Sequence, residues 1–103
     1  MRERAKLTEG QIATFLVASP TWSQRGEEIT KRYECASFQH ALDFVVAVGA
    51  LAEAADHHPD IEIRYRAVLI ALTTHDAGGL TYRDTDLATA IDAASERFVA
   101  AAQ

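Results

Sequence analysis

Apolar residues recur along this chain first at helical and then at alternating spacing. Ile12, Phe15 and Leu16 give a short first helix its apolar face. Its entry is marked by Thr8 as a capping residue, Gln11 three positions on, and Leu7 with Ile12 as a hydrophobic staple. Pro20 ends it. Thr21–Ser23 and Glu28–Cys35 read as a β-hairpin turning at Gly26. Ser37 then caps a long second helix, in which Phe38, Ala41, Leu42, Val45, Val48, Ala52 and Ala55 recur at helical spacing and should face the core. Gly49 within it is expected to let another element approach closely. Pro59 disfavours helical geometry at His58, so this helix should end near His57. Ile61–Tyr65 alternates as a half-buried strand does. Ala67–Thr74 is more continuously apolar, as expected of an interior strand covered on both sides, and a tight turn at Arg66 joins the two. Asp76-Ala77-Gly78-Gly79 is a loop. Thr81 opens a third helix, with Asp84 as an acidic variant of the capping box. Leu87, Ala88, Ile91, Ala94 and Phe98 form its buried stripe, with Ser95 at the edge.

The order α-ββ-α-ββ-α predicts an α+β fold: a four-stranded antiparallel sheet with helices packed on one face. Composition narrows the class. The 103 residues suit one domain over 1–103, and 49% hydrophobic with 24% charged residues reads as globular. A net charge of −5 makes direct nucleic-acid or anionic-membrane binding a poor fit. The charged start MRERAKLTEG lacks a signal-peptide core, and no run reaches the roughly 18 apolar residues of a membrane span. The single cysteine, Cys35, excludes an intrachain disulfide and fits a reducing cytoplasm.

The chemistry-bearing residues gather at element ends. His57-His58-Pro59 closes a helix, Thr73-Thr74-His75-Asp76 closes a strand, Asp84 opens a helix, and Glu53 lies one turn before His57. Histidine is the side chain best suited to move protons near neutral pH. On the residues alone, three readings stay open. The histidine pair can be a solvated helix end, favourable to the helix dipole when protonated. It can be part of a zinc site, although adjacent histidines diverge and HExxH is absent. It can be a proton-transfer site. Cys35, in a strand with apolar neighbours, reads as an inert buried thiol.

The spacing Glu53-(3 residues)-His57-His58-Pro59-(5 residues)-Tyr65-(9 residues)-His75-(8 residues)-Asp84 resembles the signature of the pterin-4a-carbinolamine dehydratases. Trp22 with Gly26, Ser37-Phe38 with Ala41 and Phe44, and Gly79-Leu80-Thr81 with Asp84 and Leu87-Ala88 resemble further family segments. One departure is Cys35, which stands where the family's second strand usually carries an aromatic.

The resemblance implies dehydration of a 4a-hydroxytetrahydropterin to quinonoid dihydropterin, with no cofactor and no metal. His57 and His75 would be the acid/base pair, with His58 orienting the pterin and Glu53 tuning that end of the site. Asp84 would orient His75. Groups around Asp56–His58 and Thr73–Asp76 (Thr73, Thr74, His75 and Asp76) would bind the pterin edge. Trp22 would close over the ring or else lie in the core. An aromatic amino-acid hydroxylase would be the metabolic partner, and a homodimer or homotetramer the assembly. The competing reading is a non-catalytic interaction or assembly factor on the same fold.

Overall fold

The computed structural model describes residues 5–100. Its elements run α1 (Glu9–Ala18), β1 (Ser23–Arg25), β2 (Glu28–Glu34), α2 (Phe38–Ala55), β3 (Asp60–Arg64), β4 (Ala67–Leu72), a 3₁₀ turn (His75–Ala77) and α3 (Tyr82–Ser95). The strands form one antiparallel sheet in the order β1-β2-β4-β3. This is the expected α+β arrangement.

Local chemistry explains most boundaries. Thr8 and Gln11 form the reciprocal capping box of α1, and Thr81 with Asp84 forms that of α3. The β1–β2 turn uses Gly26 at φ +61°, where glycine carries no Cβ penalty. β1 covers Ser23–Arg25, not Thr21–Ser23, because a two-residue turn draws its ladder up to Arg25↔Glu28. The β3–β4 hairpin turns tightly at Arg66 as expected, but Tyr65, read as the last strand residue, lies in the turn at φ 53°, and β4 ends at Leu72 rather than Thr74.

The sheet's covered face carries Ile29 and Tyr33 from β2 and Val68, Ile70 and Leu72 from β4, all buried. Against it lie Ala41, Phe44, Val48 and Ala52 of α2 and Leu87, Ala88 and Ile91 of α3. α2 is long and apolar enough to cross a membrane by length and composition alone, but here one face of it fills the core. The opposite sheet face presents Thr30, Arg32 and Glu34 of β2 and Asp60, Glu62 and Arg64 of β3, on either side of Ala67, Leu69 and Ala71 of β4. β4 is therefore interior in the ladder yet covered on one side only, and Leu69 and Ala71 stay half-buried.

Several stripe residues move. Phe38 is 47% exposed and stacks on Tyr65 at 6.5 Å between centroids; Ala55 is exposed. α3 stops at Ser95, so Phe98 packs on Phe44 from a turn beyond the helix. Gly49 admits no close neighbour: a Cβ there would meet nothing within 4 Å.

A half-buried carboxylate pins α3 to the sheet. Asp92 accepts hydrogen bonds from Trp22 Nε1 (3.0 Å), Lys31 Nζ (2.8 Å) and Tyr33 OH (2.6 Å). Burial and then the hydrogen bond to the Asp92 carboxylate push the Tyr33 phenol far above its ordinary range. Burial, then the Glu34 charge, likewise raise the Cys35 thiol, which is fully buried.

Two outcomes follow. Gly49→Ala should raise stability by about 0.5–1 kcal/mol in urea denaturation, since the helix interior loses a flexible residue without a clash. Stability should also fall as pH rises above about 10, the ordinary tyrosine value. The unfolded chain there releases the Tyr33 proton that the folded chain retains, so the contribution is complete below that pH and lost above it. Denaturation of wild type and Tyr33→Phe between pH 8 and 11 checks this: the decline should be shallower in the variant.

Candidate functional site

The site begins where α2 ends. Asp56 adopts left-handed geometry (φ 49°, ψ 45°), its N–H returning to Ala52 and Glu53 and the His57 N–H to Ala52. This left-handed cap, rather than Pro59 alone, stops the helix at Ala55, two residues earlier than the sequence suggests. The reversal turns His57 inward, where it is 8% exposed, and leaves His58 outside.

His57 Nε2 lies 2.6 Å from Asp84 Oδ1. Asp84 is fully buried, and its Oδ2 accepts from Thr74 Oγ1 (2.8 Å) and from the Thr81 N–H (2.9 Å). Thr74 and Thr81 hydroxyls meet at 2.9 Å. Thr74 gives its one proton to Asp84, so Thr81 Oγ1 donates to Thr74 and accepts from the Arg83 N–H at 3.2 Å. An ionised carboxylate accepts only, which places the proton of the His57–Asp84 bond on Nε2. His57 Nδ1 is then the ring's acceptor nitrogen, without a hydrogen-bond partner among the described residues. The ring lines a cleft of about 790 Å³ with Leu51, Ala54, Asp56, Asp76, Arg83 and Leu87 among its walls.

Asp84 therefore orients His57, not His75 as the sequence reading had it. His75 is exposed at the start of the 3₁₀ turn and lines a neighbouring cleft with Thr73, Arg25 and Glu28. Asp76, the next residue, lines the His57 cleft, so the turn divides the two. Thr73 Oγ1 donates to the Glu27 carbonyl at 2.5 Å, joining the end of β4 to the β1–β2 turn. Glu53 pairs with the exposed His58 rather than tuning His57, in a solvent-screened contact. Trp22 is 2% exposed, bonded to Asp92 and edge-on to Tyr33, so it belongs to the core. Among the described residues no three His, Cys, Asp or Glu side chains converge as a metal-holding group.

A family model for pterin 4 alpha carbinolamine dehydratase matches residues 5–94. The chain belongs to this family. A Chloroflexus aurantiacus relative assigned to it by name is 54% identical over 87 residues, 84% of this chain and 94% of its own length. One from Roseiflexus sp. is 53% identical over 87 residues, with the same coverage. The fold matches a Brucella melitensis crystal structure described as a transcriptional coactivator/pterin dehydratase, with TM-score 0.82, 31% identity, and 86% of this chain and 97% of that one covered. It also resembles a pterin dehydratase-like protein described as a RuBisCO assembly factor of the α-carboxysome, with TM-score 0.64, 25% identity, and 74% and 90% coverage.

Two members of this dehydratase-family site carried no sequence signal as such. The Thr81 hydroxyl read only as a cap, although a threonine three residues before a buried carboxylate is positioned to serve it. Arg83 drew no reading from the sequence at all. If the Asp84 network holds this region together, Asp84→Ala should cost about 2–4 kcal/mol, because three buried donors lose their acceptor. A loss near 1 kcal/mol in urea denaturation would instead mean that Asp84 acts as a helix cap and little more.

Proposed function

We propose that this chain catalyses dehydration of a 4a-hydroxytetrahydropterin to quinonoid dihydropterin and water. The observation that carries the reading is His57, buried, fixed through Nε2 by Asp84, and lining a cleft with Nδ1 unbonded. In the reaction the C4a–O bond breaks, the N5–H bond breaks, and a C4a=N5 double bond forms. A proton must reach the departing hydroxyl, and another must leave N5. The N5 lone pair drives the hydroxyl out, so two positioned proton carriers meet the chemical demand.

His57 is one carrier; its fixed tautomer leaves Nδ1 to exchange a proton with substrate. His75, at the start of the 3₁₀ turn, is the second, reaching a pterin laid against that turn from the other side. His58 orients the pterin with Glu53 behind it, and Asp56, Asp76, Thr73 and Thr74 frame its polar edge. The substrate's source is an aromatic amino-acid hydroxylase in the cytoplasm. A homodimer or homotetramer fits the exposed apolar side chain of Val46, 73% accessible on α2.

The test generates the 4a-hydroxypterin in situ with such a hydroxylase and follows its ultraviolet absorbance decay against the spontaneous rate. Wild type should accelerate the decay. His57→Ala and His75→Ala, confirmed folded by circular dichroism, should each lose roughly 10²–10⁴-fold of the acceleration. A folded wild type no faster than background would move the chain to the interaction or assembly class.

A further inference from the structure

Arg83 stands in an electrostatically awkward place. It lies in the first turn of α3, whose N-terminal dipole disfavours a cation. The last turn of α2, whose dipole favours one, contains no basic residue. The fold brings the two together: Arg83 Nη2 donates to the carbonyl oxygen of Asp56, the left-handed residue that closes α2. Arg83 thus supplies from α3 the cation that the α2 end lacks, and the charge-assisted bond offsets its unfavourable position on its own helix.

The Asp56 carbonyl belongs to the peptide unit that carries the His57 nitrogen. Two adjacent residues of α3 therefore grip two adjacent residues at the end of α2. Arg83 holds the peptide plane entering His57, and Asp84 holds the imidazole itself. Either hold alone leaves freedom: the Asp84 bond fixes one ring nitrogen but not the backbone from which the ring hangs. The Arg83 backbone N–H also feeds the Thr81–Thr74–Asp84 hydroxyl chain, so backbone and side chain of one residue serve both holds.

We infer that Arg83 is a positioning residue for His57, acting through the Asp56 carbonyl to aim Nδ1 into the cleft. The kinetic part of this inference rests on the proposed dehydratase activity; its effect on the ring does not. Arg83 also lines the cleft, so a direct grip on substrate is the rival role to separate.

The experiment compares wild type, Arg83→Met and Arg83→Lys by histidine side-chain ¹⁵N–¹H spectra, steady-state dehydration kinetics and urea denaturation. Arg83→Met keeps the aliphatic stem and removes the donor. It should shift the His57 ring signals and lower kcat by roughly 10–100-fold, with KM changed less than about threefold. Arg83→Lys, which can still donate to the carbonyl, should recover part of kcat. Unmoved His57 signals in a folded Arg83→Met would overturn the inference. So would a raised KM at unchanged kcat, which marks substrate binding instead. Should Arg83→Met fail to fold, the same two readouts on Arg83→Leu, which also lacks the donor, decide. If wild type proves inactive, the dehydratase reading falls by itself and the ring spectra still decide the role of Arg83.

Discussion

A carboxylate buried without water is tolerable only when its lone pairs are filled, and this constraint at Asp84 organises one whole end of the molecule. Asp84 is fully buried, and its three donors come from the end of α2, the end of β4 and the start of α3. Each donor is fixed because the carboxylate needs it. Thr74 must follow β4 closely enough to reach inward, Thr81 must cap α3, and His57 must turn back from the α2 terminus. The left-handed Asp56 is the backbone device that permits that turn. A histidine drawn inside by a carboxylate cannot rotate freely, so one nitrogen is committed and the other is left to the cleft. Under the proposed dehydratase reading, structural satisfaction and chemical preparation are the same set of bonds.

Asp92 offers an instructive contrast on the same helix. It too gathers three donors, from Trp22, Lys31 and Tyr33. None of its partners is a histidine. Its network fastens the middle of the sheet to α3 and explains why a tryptophan and a lysine on the covered side find polar partners at all. The likeness in hydrogen-bond count and the difference in donor type separate a fastening from the site proposed to move protons. It also accounts for Trp22 lying in the core: its indole N–H is claimed by Asp92.

The histidines show how far local sequence reaches. That His57, His58 and His75 would gather at element ends followed from Pro59, the apolar pattern and the Thr81 capping box. Which carboxylate would serve which histidine did not follow. Asp84 lies nine positions from His75 and 27 from His57, yet it bonds the more distant one, because α2 and α3 pack side by side while the 3₁₀ turn carries His75 to the neighbouring cleft. Glu53 likewise sits a turn before His57, but the left-handed cap presents His58 to it instead.

The sequence by itself determined the element order, the sheet partners in their hairpins, both capping boxes and the family, because these rest on short-range periodicity, turn chemistry and fixed spacings. Only the tertiary structure decided that Asp84 holds His57, that Asp92 claims Trp22, that Phe38 faces solvent and that Arg83 closes another helix's end. Those are contacts between segments tens of residues apart. Their geometry depends on how two helices cross a sheet, and no local pattern along the chain encodes which side chain meets which.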